Sequence, residues 1–164
     1  MILTASPGFR CRRIEAGLLS AGQDFDKNTN PFSVGLGKFV DLDKKDFIGK
    51  KALSNLEKKC RTWGLRVKES VALKGENIFS NNKVIGRVTS STWSPFQVCG
   101  VAIIHLNNDQ FGPSSVIDVK CSDGKIYKGE ICSLPMYDKK NEIVRGLVEN
   151  IPTKPEPWPG IQTK

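Results

Sequence analysis

The sequence predicts an α+β fold, with a helix-and-loop arm at the N-terminus followed by an antiparallel β-barrel or sandwich. Three observations carry this reading. Helix signals occur only before Cys60. After Cys60, short runs rich in Val, Ile and Thr alternate with Gly, Asn and Pro, the texture of strands separated by turns. Ser122-Asp123-Gly124-Lys125 reads as a hairpin turn, because Asp-Gly tolerates the positive φ such a turn needs. The chain has 164 residues, 38% hydrophobic and 26% charged. That composition suits one globular domain, or one domain with an arm, burying roughly 70% of its unfolded surface.

Taken in order, Ser6-Pro7 reads as a helix start, with Ser as N-cap and Pro in the first turn. The helix is expected over residues 7–16, placing Phe9, Arg13 and Ala16 on one face. Gly17 either ends it or permits close packing. Residues 20–46 are rich in Gly, Asn and Asp and read as loop, with Asn30-Pro31 as a break. Within them, residues 37–42 alternate apolar and polar positions and predict a strand. Asp46 is expected to cap a second helix. Phe47, Ile48, Ala52, Leu53 and Leu56 recur at helical spacing in it, and Lys58-Lys59 suits its C-terminal end. Its Phe47, Leu53 and Leu56 face is expected to pack on a sheet. Strands are expected over 62–68, 83–90, 99–106, 116–122 and 126–132. From Ile151 the chain is Pro-rich and is expected to be extended, with Trp158 docked on the body or on a partner, or else loose.

Composition also limits the functional classes. No apolar run approaches the ~20 residues of a membrane-spanning helix. Met1-Ile2-Leu3 is too short for the apolar region of a signal peptide. The five cysteines are odd in number, lack Cys-x-x-Cys spacing and share the chain with one histidine, His105. They therefore read as reduced, buried thiols in a cytoplasmic protein rather than as a metal site. The net charge of +8 would suit a polyanionic ligand or an acidic partner. Its scatter along the chain, without interleaved aromatics, argues instead for a solvated surface and against a nucleic-acid partner.

The clearest chemical cluster is Arg10, Arg12, Arg13 and Glu15. Arginine binds carboxylates as a fork, so the cluster can receive an acidic ligand tail. Its plainer reading is helix-surface charge with Arg–Glu pairing. Gly86-Arg87-Val88-Thr89-Ser90-Ser91 with Ser94-Pro95 forms a hydroxyl-rich stretch that can cap a strand end or bind an anion. Its plainer reading is barrel architecture. Trp93 can line a pocket or fill a barrel mouth.

A family resemblance is carried by the stretch from Arg13 to Leu53, with Thr29-Asn30-Pro31, Gly35-Leu36-Gly37-Lys38-Phe39-Val40 and Asp46-Phe47-Ile48-Gly49-Lys50-Lys51-Ala52-Leu53, and by a second block in the β region. Gly8-Phe9-Arg10-Cys11 leads into Arg12-Arg13-Ile14-Glu15-Ala16-Gly17, and Gly86-Arg87-Val88-Thr89-Ser90-Ser91 leads to Ser94-Pro95 and Val101-Ala102. Together they resemble the C-terminal half of the folate-dependent aminomethyltransferases, which include the glycine cleavage T-protein. Arg13, Glu15, Ala16 and Gly17 match the family's Leu-Arg-Leu-Glu-Ala-Gly. Arg10 matches the preceding arginine if one intervening residue is missing. Ala21 stands where the family often has tyrosine, and Ser91 where it has glycine. Leu18-Leu19-Ser20 beside Asn30-Pro31-Phe32 is closer to the dimethylsulfoniopropionate demethylase branch.

The resemblance implies a Greek-key antiparallel β-barrel of about six strands over residues 60–137. Residues 1–59 would be a remnant of the folate-binding domain with a linking helix, and 138–164 an extended Pro-rich tail. It further implies tetrahydrofolate as the cofactor, with Arg10, Arg13, Glu15 and Trp93 as the candidate binding residues. Arg13 and Glu15 have an alternative role, holding the helix in place. The family's catalytic aspartate lies in a region with no counterpart here, and none of Asp24, Asp26, Asp41, Asp43 or Asp46 lies in a matching motif. The expected function is the folate-binding part of an enzyme that transfers a one-carbon unit to tetrahydrofolate, inactive without the missing region. The implied partners are folate, a complementary N-terminal chain or a second copy, and a lipoyl carrier protein in the glycine cleavage branch. The alternative is a non-catalytic folate- or RNA-binding module.

Overall fold

The computed structural model describes residues 6–161. Its centre is a closed barrel of six antiparallel strands: β1 (Thr62–Val67), β2 (Asn77–Ser80), β3 (Lys83–Ser94), β4 (Cys99–Leu106), β5 (Val116–Lys120) and β6 (Ile126–Cys132). Their order around the barrel is β1-β4-β3-β2-β5-β6. β2, β3 and β4 follow one another as hairpins, and β1 lies beside β4, which is the Greek-key connection. All five expected strands begin at their expected residues; β4 and β6 span the expected ranges, and β1, β3 and β5 end within four positions of their expected ends. β2 is the strand the sequence pattern missed: Asn77–Ser80 is four residues long and irregular in register between Ile78 and Phe79.

The barrel interior is filled by Leu65, Val67, Ile78, Ile85, Val88, Ala102, Ile104, Leu106, Ile117, Val119 and Ile131. β4 is apolar on both faces for a reason. Ala102, Ile104 and Leu106 face the interior, while Cys99, Val101 and Ile103 pack outward in a second cluster with Ile14, Cys132 and Met136. Burying β4 twice replaces strand alternation by a continuous apolar run. Gly100 sits where a Cβ would lie 2.1 Å from the Ser70 carbonyl oxygen, so two backbones touch there.

The N-terminal arm docks on this outer face through α1 (Ser6–Glu15). The helix already includes Ser6, so its N-cap position falls outside the described residues. Cys11, Ile14 and Glu15 form its buried face at i, i+3 and i+4. Gly17, at φ 70, ends it: Gly17 N–H bonds to Ile14 O and Leu18 N–H to Arg13 O, a Schellman closure. A Cβ at Gly17 would also stand 2.8 Å from Leu134 Cβ, so the same residue allows close packing.

Two expectations in the arm are corrected. Residues 37–42 are not a strand; Gly37–Phe39 is a single 3-10 turn with Phe39 exposed. Alternation alone does not make a strand where no sheet edge accepts its hydrogen bonds. The helix expected from Asp46 shrinks to α2 (Lys50–Ser54), which buries no residue. Gly49, at φ 90, breaks the helical path between Ile48 and Lys50, and Ile48 is fully exposed. Lys58-Lys59 lies beyond its end. The spacing was amphipathic, but the stripe does not pack on the barrel.

After β6 the chain returns to α1 and the barrel. Trp158 packs on the second cluster, and Lys68 Nζ bonds to Pro159 O at 3.2 Å.

Candidate functional site

The candidate site is built where α1 crosses the β3–β4 end of the barrel. Its foundation is a buried polar core. Asp24, with no side-chain exposure, pairs with Arg13 at 2.7 Å. Asp24 Oδ2 also accepts the Ser20 N–H at 2.9 Å. Asp24 Oδ1 lies 2.6 Å from both the Thr89 and Ser90 hydroxyls. Ser90 in turn accepts Arg13 Nη2 at 2.8 Å, and Arg13 Nη1 reaches Leu18 O at 3.1 Å. Both terminal nitrogens of Arg13 are therefore engaged inside the protein.

A β-bulge makes this possible. Val88 pairs with Ile104 and Ser90 with Ile103, leaving Thr89 as the extra residue. In a regular strand Thr89 and Ser90 would face opposite ways. The bulge lets both hydroxyls meet one carboxylate. The anion bound by the hydroxyl-rich stretch is thus the protein's own Asp24.

Glu15 organises a second layer. Its side chain is 1% exposed, and its Oε1 accepts the Ser94 hydroxyl. Its Oε2 accepts Tyr137 OH at 3.2 Å, and that hydroxyl accepts Arg12 Nη1 at 2.7 Å. Arg12 Nη1 is 3.8 Å from Glu15. Tyr137 and Glu15 raise the Arg12 pKa. Burial, with Glu15, raises that of Tyr137. Burial, again with Glu15, pushes the Cys11 thiol up to about 12, which leaves it un-ionised at neutral pH and unsuited to act as a nucleophile.

Above these residues lies an open cleft of about 370 Å³, lined by Gly8, Cys11, Arg12, Glu15, Thr92, Trp93, Pro95 and Phe96. A second cleft of about 410 Å³, mostly apolar, adjoins it across Arg12 and Phe96. Ile143, Val144, Ile151 and Pro152 form its far wall.

The structure therefore brings Glu15 and Trp93 to one cleft and places Arg13 in the wall of the adjoining one. Arg10 is exposed on α1 and makes no hydrogen bond or ion pair among the described residues. Sequence reasoning did not single out Asp24, Ser94 or Tyr137 as partners of the arginine cluster. The signal for Asp24 and Ser94 was present in the hydroxyl-rich stretch; Tyr137 carried none. His105 stands apart on the barrel wall, its Nδ1 3.0 Å from Thr62 Oγ1. Among the described residues no group of three His, Cys, Asp or Glu side chains is placed to hold a metal. No helix among them is long and apolar enough to cross a membrane.

A closed Greek-key barrel carrying a docked helix, with an Arg–Asp–hydroxyl core at the seam, defines the class: a small β-barrel domain with a helical arm. The family described as "Glycine cleavage T-protein C-terminal barrel domain" matches residues 61–138. Residues 61–138 are therefore a C-terminal barrel domain of the glycine cleavage T-protein family. Curated relatives named aminomethyltransferase extend the likeness. One from Prochlorococcus marinus is 34% identical over 130 residues, covering 76% of this chain and 35% of the relative. One from Thermotoga maritima is 34% identical over 133 residues, with the same coverage. A crystal structure of glycine cleavage system aminomethyltransferase T from Bartonella henselae superposes with a TM-score of 0.70 at 26% identity. That match covers 80% of this chain and 38% of the Bartonella chain. The chain spans about a third of the length of the curated relatives it matches.

Proposed function

We propose that this chain supplies the folate-facing C-terminal part of an aminomethyltransferase-like enzyme, which transfers a one-carbon unit to tetrahydrofolate. The observation that supports it is the cleft at the α1–barrel seam, where an aromatic wall, a guanidinium and a buried carboxylate meet in a chain of this family. The residues fit part of a folate. Trp93 and Phe96 offer apolar ring faces and Arg12 a cationic group within the cleft, while Arg10, exposed on α1 outside the cleft lining, offers a second cationic group for the acidic tail. A cleft of about 370 Å³ takes one segment of that ligand rather than the whole.

In this reading each group has a distinct task. Arg13 and Asp24 lock the helix on the barrel. Glu15, fixed by Ser94 and Tyr137, gives the cleft a rigid acidic floor, and Trp93 covers it from one side. Such a scaffold works by holding and orienting its ligand. Turnover then requires residues from the other two-thirds of the relatives' length, the catalytic aspartate among them. Residues 1–59 act as the remnant of the folate-binding domain with a linking helix, 60–137 as the barrel and 138–164 as an extended Pro-rich tail. A complementary chain or a second copy would meet the arm, and a lipoyl carrier would bring the donor in the glycine cleavage branch.

Calorimetric titration with tetrahydrofolate tests the reading. The unaltered chain is expected to bind, and Arg10→Ala and Trp93→Ala each to weaken binding by about tenfold, the equivalent of roughly 1.4 kcal/mol. Binding that neither substitution changes would overturn the site assignment. No binding by the unaltered chain would overturn the proposal that this part holds folate by itself.

A further inference from the structure

We propose that the C-terminal tail is a strap with Trp158 as its latch, holding a strained turn between β3 and β4 and thereby positioning Glu15. The tail lies beyond residue 138, where the family match ends. Its sequence, Pro155-Glu156-Pro157-Trp158-Pro159, alternates residues without an N–H and residues with one. The two available donors are both used: Glu156 N–H bonds to Phe96 O at 2.9 Å and Trp158 N–H to Gln97 O at 2.7 Å. The prolines hold the segment extended beforehand, which lowers the entropy cost of docking. The Trp158 ring packs on the cluster formed by α1 and the outer face of β4. Residues 151–157 are otherwise exposed, so the strap is held at few points.

The two carbonyls it grips precede Val98, which has φ 49. A β-branched residue in the left-handed region is strained and persists only where its surroundings over-determine it. Besides the strap, the turn is held from inside. Gln97 N–H donates to Ser94 Oγ at 2.9 Å, and Arg66 Nε donates to Gln97 Oε1 at 2.8 Å. Ser94 is also the residue that donates to Glu15. Phe96 packs against Tyr137 with ring centroids 5.1 Å apart, and Tyr137 is the other donor to Glu15. Loosening the tail therefore releases the turn that carries both donors' supports. The effect on a ligand rests on the folate reading given above; the effect on the turn does not.

Hydrogen–deuterium exchange on the full chain tests the strap. In Trp158→Ala, amides of residues 96–99 are expected to exchange about tenfold faster, with β5 and β6 unchanged. Val98→Gly removes the strain, so adding Trp158→Ala to it is expected to change turn exchange less than about twofold. An unchanged turn in Trp158→Ala overturns the strap. So does acceleration spread evenly over all strands, or an equal response in the Val98→Gly background. A tetrahydrofolate titration of the same variants separates the two proposals. If the unaltered chain binds and Trp158→Ala binds equally well, the link from strap to cleft is overturned. If the unaltered chain does not bind, the folate reading fails while exchange still decides the strap.

Discussion

Replacing Asp24 by alanine removes the carboxylate that ties Arg13 of the helix to the hydroxyls of β3. The Arg13 side chain is 13% exposed and its counterion has no exposure at all. Without Asp24 that guanidinium is left as a largely buried charge with only Ser90 and the Leu18 carbonyl as neighbours. Breaking a buried pair from one side costs about 3–5 kcal/mol. The hydroxyls of Thr89 and Ser90 and the N–H of Ser20 lose an acceptor too. These losses share one network, so they do not simply add. The expected destabilisation is about 4 kcal/mol, a large share of the 5–15 kcal/mol that holds a typical domain together. Urea unfolding followed by tryptophan fluorescence measures it, and thermal unfolding should show a fall of roughly 10 °C for a chain of this size. Arg13→Met on the Asp24→Ala background removes the stranded charge and should recover part of the loss, a coupling that a double-mutant cycle isolates. A loss below about 1 kcal/mol, or strictly additive single variants, would refute the claim that this pair pins the helix to the barrel.

Two further outcomes follow from the barrel. Gly100→Ala forces a Cβ to 2.1 Å from the Ser70 carbonyl oxygen and should cost about 3 kcal/mol or prevent folding; a near-neutral urea midpoint would show that this approach is not tight. Burial, with Arg87 and Arg61 nearby, lowers the His105 pKa below its ordinary 6.5. The unfolded chain therefore binds the proton more readily, so His105's contribution is complete above about pH 6.5 and is lost as pH falls toward the depressed folded value. The urea midpoint should drop more between pH 7.5 and 5.5 in the unaltered chain than in His105→Gln, and equal drops would contradict the assignment.

The chain's sequence was enough to reveal the barrel. Strand alternation, β-branched runs and the Asp123-Gly124 turn are local signals, and they located five of six strands because each strand buries one face or both. β2 escaped because four residues with a register irregularity hold too little pattern. Gly17 was legible as both helix stop and close contact, since a glycine after an apolar helical face has few other uses. The arm was less legible. Periodicity at Phe47, Ile48, Leu53 and Leu56 predicts a helix only if something covers the stripe, and Gly49 at φ 90 interrupts it first.

The sequence by itself determined which residue types the seam would use: arginines and a glutamate on one helix, hydroxyls on one strand, and a tail of alternating prolines. Only the tertiary structure decided their partners. A bulge at Thr89 turns two hydroxyls toward Asp24, a residue that sequence spacing separates from them by 65 and 66 positions. The same folding spends Arg13 internally, leaves Arg10 in solvent and sets Glu15 between Ser94 and Tyr137. Local pattern records which face a side chain takes; which charge it meets depends on contacts between distant segments, and these exist only once the barrel has closed.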